Sequence, residues 1–149
     1  MGIFTDYFVA PSDEVAAAVL ASGPADVPGL PVLQMKGMEP IVIMGSLEAI
    51  LTGRDFDEVC DNPRQGLMLV YEADGGTSVT ALTDELRDAL ASSDENRLRA
   101  AGAELAATEE VAAADGEDVE AVVDGVLELA ALARTARERG EGMYCWLCL

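Results

Sequence analysis

Residues 117–139 read as one long helix that ends on Gly140 and Gly142 and runs straight into MYCWLCL. Val119, Val122, Val123, Val126, Ala130 and Ala133 fall on one stripe at helical spacing, so one side of this helix must be covered. Glu117, Asp118 and Glu120 open it and Arg134, Arg137 and Arg139 close it, which complements the helix dipole at both ends. A short apolar run after a glycine stop reads as a strand buried on both faces. A helix that needs cover, feeding a strand that needs two covers, points to helices packed on a sheet. The expectation is one α+β domain over residues 1–149: a mixed β-sheet with several helices packed on it, the long C-terminal helix leading into a final buried strand.

The rest of the chain supplies the partners. Ile3 to Val9 is β-prone and reads as a first strand. Ser12 caps a helix that Gly23 closes, with Asp13 and Glu14 at its positive end. Residues 24–37 hold Pro24, Pro28, Pro31 and two glycines, so they are mostly loop, with a short strand at Val32 to Met35. Within 38–51, Met44, Leu47 and Leu51 recur at helical spacing and Ile43 and Ile50 widen the stripe. Gly45 weakens that helix, and Thr52-Gly53 stops it. Arg54 to Gln65 is polar and ends in Asn62-Pro63, a turn signal. Leu67 to Tyr71, Asp74-Gly75-Gly76 and Ser78 to Leu82 read as a hairpin. Thr83 caps the next helix ahead of Asp84 and Glu85, and Ser93 repeats the device ahead of Asp94 and Glu95.

Charge narrows the function. The 149 residues carry 28 acids against 9 bases, a formal net charge of −19, with no histidine and Lys36 the single lysine. Nucleic-acid binders take most of their affinity from Lys and Arg on phosphates, which this chain would repel. Anionic membrane surfaces are disfavoured for the same reason. Histidine chemistry is excluded. The opening MGIFTDYFVAPSDE lacks a basic region, with Asp6 inside its apolar stretch, so no secretory leader is read there. No run reaches the roughly 18–20 apolar residues of a membrane span. Three cysteines without a leader read as reduced thiols of a cytoplasmic protein, and abundant alanine and arginine suggest a GC-rich coding sequence.

Cys145-Trp146-Leu147-Cys148 has the CxxC spacing of zinc and redox sites, which need both sulfurs on one side. On a strand, Tyr144, Trp146 and Cys148 point one way and Met143, Cys145 and Leu147 the other. The sulfurs then diverge, and Cys60 is the one remaining cysteine, so buried structural thiols are expected, a reactive pair being the alternative. Tyr144 and Trp146 read as core in preference to pocket walls. Acids cluster at Asp55, Asp57 and Glu58 and at Asp115, Glu117 and Asp118, without the spacing of a calcium loop; they read as solvated faces. Phosphate-cradling glycine loops, dinucleotide fingerprints and nucleophile elbows are absent. No catalytic, cofactor-binding or metal residue is assigned, and no cofactor is expected.

The order of parts resembles the YfbM-like family, uncharacterised small α+β proteins of bacteria. The MGIFTDYF opening, the segment ending Leu47…Leu51-Thr52-Gly53, the TDEL start at Thr83 to Leu86, and Arg137 and Gly140 before a last apolar strand carry the similarity. Members often hold Trp and His where Met44 and Glu48 stand here. The resemblance implies a mixed sheet with helices packed on it; it implies no activity.

Two functions are open at this point. The favoured one is a non-enzymatic interaction domain, immunity- or inhibitor-like, whose acidity draws a basic protein partner. The alternative is a small-molecule binder or enzyme using carboxylates or a thiol in a pocket. The charge is uneven: from Glu104 to Glu128 there are nine acids and no base. An electrostatic partner is expected to meet that stretch first.

Overall fold

The computed structural model describes residues 3–113 and 118–149. The chain opens with strand β1 (Phe4–Ala10) and helix α1 (Asp13–Ala17), then a short 3-10 turn at Pro24–Asp26 and strand β2 (Val32–Lys36). Helices α2 (Val42–Thr52) and α3 (Phe56–Cys60) precede the hairpin of β3 (Met68–Tyr71) and β4 (Thr77–Ala81). Helices α4 (Asp84–Ser92), α5 (Glu95–Ala106), α6 (Glu109–Ala113) and α7 (Val119–Arg139) lead to the last strand, β5 (Gly142–Cys148). The strands form one sheet in the order β2-β1-β5-β4-β3.

Each neighbouring pair is antiparallel, so the sheet is antiparallel and not mixed as expected from the sequence. The reason lies in where the last strand lands. β5 enters between β1 and β4, which run in the same direction, and pairs antiparallel with both. The strand expected to be buried on both sides is thus the central one. Its alternation holds: Met143 and Cys145 face the helices, whereas Tyr144 and Trp146 face the opposite layer.

The helix layer gives the larger core. Leu47 of α2, Leu86 and Leu90 of α4, Leu98 and Leu105 of α5, and Val126 and Leu129 of α7 join Tyr7, Val9 and Met143 of the sheet. Gly102 lets α5 and α7 approach; a Cβ there would stand 2.9 Å from the Cα of Val123. Gly45 has an equally concrete use. A Cβ on it would lie 2.7 Å from Gln65 Nε2, whose amide donates to the Ile41 carbonyl at 2.8 Å beside the start of α2. The helix weakening expected from this glycine is therefore offset by a tertiary contact. On the other face, α1 and the turns after it cover Phe8, Ala10, Val79, Ala81 and Tyr144.

Local signals mostly fold as read. Ser12 accepts the N–H of Val15 and Thr83 that of Leu86, while Gly53 and Gly140 close α2 and α7 in the left-handed conformation. Two readings are corrected, and one stretch gains a helix. The helix from Ser12 tightens after Ala17: Val19 and Leu20 N–H bond three residues back, and the Leu20 carbonyl accepts the Trp146 indole N–H at 2.9 Å. Within the polar stretch 54–65, Asp55 starts α3, whose Val59 is buried. The cap of α5 is Asp94, accepting from Arg97 N–H at 2.8 Å, while Ser93 turns its hydroxyl back to the Ala89 carbonyl at the end of α4. The reading that the long helix begins at Glu117 falls outside the described residues; Asp118 caps its described part.

Candidate functional site

A cleft of about 580 Å³ opens on the sheet face that α1 leaves bare. Register builds its floor. Asp6 of β1 lies between Gln34 of β2 and Trp146 of β5, and Phe4 lies between Lys36 and Cys148. These residues share one face because antiparallel partners project together. The chain from Ser22 to Asp26 forms the rim.

Trp146 is fixed in place. Its indole N–H is satisfied by the Leu20 carbonyl, and Gly23 lies over the benzo ring, where a Cβ would come within 3.4–3.5 Å of three of its carbons. Gly23 has φ +80°, so a side chain there is strained by backbone as well as by contact. Lys36, the single lysine, is held 5.3 Å from the centre of the Phe4 ring.

Asp6 is the unusual member. Only 7 % of it is exposed, and among the described residues no hydrogen bond or ion pair reaches its carboxylate. Burial raises its pKa above the ordinary carboxylate value. A carboxylate half-stripped of water, with no partner and an aromatic neighbour, favours a cation: the charge and the ring quadrupole both attract one.

The sequence-derived candidates scatter elsewhere. Cys145 is buried under the helices, Cys148 is half-buried on the opposite face beside Thr77, and Cys60 is exposed on α3. Burial pushes the Cys145 thiol well up, and the CxxC sulfurs diverge as the alternation requires. Asp55, Asp57 and Glu58 are exposed at the start of α3. Asp115 and Glu117 lie outside the described residues, and Asp118 is the α7 cap. Among the described residues no three Cys, Asp or Glu side chains converge as a metal site, and no helix is long and apolar enough to cross a membrane. Within 104–128, Glu104, Glu109, Glu110, Asp118, Glu120, Asp124 and Glu128 are exposed without an ion pair among the described residues.

The two aromatic residues of β5 part company. Tyr144 is core, as read, while Trp146 walls the cleft. Met44 and Glu48 are both buried between α2 and α4; one Glu48 oxygen accepts the Thr83 hydroxyl, and the other has no partner beside a cavity of about 10 Å³. Asp6 was legible only as an acid inside an apolar strand. Its place on the floor needs the β2 and β5 registers, which no local pattern carries.

No family model matches the sequence, and no curated protein does. Among solved structures one likeness stands out by its extent. The chain is similar to YfbM. That crystal structure is of a protein of unknown function from Escherichia coli; it is 15% identical, covers 98% of this chain and 99% of its own, and superposes with a TM-score of 0.47. YfbM is also the namesake of the family that the sequence resembles. The likeness brings no residue role, ligand or activity to this chain.

Proposed function

We propose that this protein is a non-enzymatic binding domain for a basic protein partner, and that the Asp6–Trp146 cleft receives a cationic side chain of that partner. The Asp6 carboxylate, on a residue only 7 % exposed and with no partner among the described residues, facing a cleft of about 580 Å³, carries the reading. A guanidinium or ammonium group supplies the counter-charge that Asp6 lacks, beside an indole already held in position. The net charge of −19 speeds the encounter and makes it salt-sensitive. Three unpaired thiols suit a reducing compartment, so the encounter is set in the cytoplasm.

Trp146 is the single tryptophan of the chain and therefore its own probe. An arginine- and lysine-rich peptide is expected to shift its emission at low ionic strength, less as salt is added. Asp6→Asn, nearly isosteric, is expected to weaken binding tenfold or more, about 1.4 kcal/mol. An unmoved Trp146 signal, or equal binding by Asp6→Asn, overturns the reading.

A small-molecule site is the second reading, favoured by the cleft's volume and by Lys36 and Asp6 bringing opposite charges to one cleft. A free amino acid that shifts Trp146 emission where basic peptides do not would decide for it.

A further inference from the structure

The sheet has two edge strands, and they differ. β3 breaks register between Met68 and Val70, an irregularity of the kind that blunts an edge. β2 pairs with β1 in unbroken register over five residues and, among the described residues, has no strand beyond it in the sheet. Its open groups can be assigned. Val9 N–H donates to the Pro31 carbonyl and Gly37 N–H to the Ile3 carbonyl. Antiparallel pairs alternate, so Leu33 and Met35 bond to β1, and the N–H and C=O of Gln34 and Lys36 face away from it.

This edge is flanked by acid on both faces. Gln34 and Lys36 border the cleft of Asp6 and Asp26. On the other face, the same stretch borders a second cleft of about 310 Å³ whose α7 wall carries Asp124 and Glu128, both exposed. A strand added here would lie about 4.8 Å from β2 and would send alternate side chains to the two faces. Its residues opposite Gln34 and Lys36 would reach toward Asp6, and the residue between them toward Asp124 and Glu128.

We infer that the free edge of β2 takes an extended segment of a basic protein as a sixth strand, its basic side chains divided between the Asp6–Trp146 cleft and the Asp124–Glu128 cleft. The inference rests on the cleft reading above and adds the main-chain mode of docking. A second copy of this chain is a poorer occupant, because two β2 edges would bring four clefts of like charge together.

The test uses a ten-residue peptide of Lys, Arg, Val and Thr with basic residues on both faces. Gln34 and Lys36 amides are expected to exchange freely in the protein alone and more slowly on binding. N-methylation of the alternate residues whose N–H groups face β2 is expected to weaken binding tenfold or more. The same methylation on the other alternate set should leave affinity within twofold. Gln34→Pro removes one edge donor without touching the β1 ladder and should weaken binding similarly, with melting checked in parallel. If both methylated peptides bind alike and Gln34 and Lys36 stay unprotected while Trp146 still responds, strand addition is wrong and the cleft reading survives. If no peptide binds, both fall. Protection of these amides in the free protein, with the mass of a dimer, assigns the edge to a second copy and overturns the inference.

Discussion

The Tyr144 hydroxyl donates to Oδ1 of Asp13 at 2.7 Å, tying the central strand of the sheet to the first turn of α1. Arg64 completes the joint, with its guanidinium on both Asp13 oxygens at 2.8 and 3.2 Å and its Nε on the Leu82 carbonyl. One carboxylate thus holds α1, β5 and the loop before β3. Tyr144→Phe is expected to cost about 1 kcal/mol of stability and Arg64→Ala about 1–2 kcal/mol, the upper figure including the Leu82 carbonyl left without a donor. Urea unfolding of the two variants checks this, and equal midpoints to wild type would refute it.

The same joint gives an acid limb. The Arg64 hydrogen bond, then that of Tyr144, lowers the Asp13 pKa below the ordinary value. A lowered folded-state pKa stabilises above the unfolded value of about 3.9 and is lost as pH falls through the folded one. Asp13→Asn is expected to flatten the unfolding midpoint against pH below pH 4, where wild type declines.

Glu48 acts with the opposite sign. Burial raises its pKa; the Thr83 hydrogen bond opposes this, nearby Glu85 adds to it and Arg54 subtracts. The unfolded chain ionises first, at about pH 4.3, so stability falls as pH rises from there through the higher folded value. Glu48→Gln is expected to remove that fall while keeping the acceptor for Thr83. Thr83→Ala, which strips both the α4 cap and the hydroxyl that donates to the Glu48 carboxyl, should cost about 2 kcal/mol or more. A Glu48→Gln pH profile identical to wild type would show that the carboxyl does not titrate in this range.

Gly102→Ala sets two effects against each other. Helix propensity gains about 1 kcal/mol, but the new Cβ meets Val123 backbone at 2.9 Å, and overpacking costs about 1–3 kcal/mol. Backbone cannot swing aside as a side-chain tip can, so a lower melting temperature is expected. A raised one would mean that α5 and α7 separate easily.

The thiols should react in order of access. Cys60 is expected to be alkylated in the folded protein and Cys145 only on unfolding, followed by peptide mass analysis. Mild oxidation should give no Cys145–Cys148 disulfide, because the two side chains project from opposite faces of β5.

Sequence alone determined the pieces of this protein that depend on near neighbours. Ser12 and Thr83 cap helices, Gly53 and Gly140 end them, and Tyr144, Trp146 and Cys148 share a face of β5, because backbone preference and period-two alternation act within a few residues. A five-residue helix such as α3 is too short to show a period, and the choice between Ser93 and Asp94 as a cap turned on one hydroxyl bending back to Ala89. Only the tertiary structure decided that β5 is the middle strand, that the sheet is antiparallel, and that Asp6 meets Trp146 and Gln34 on a cleft floor. Strand order is set by which apolar faces bury best together across more than a hundred residues. The Asp6 carboxylate, without a partner among the described residues, is a consequence of that distant pairing, and so is the edge position of β2.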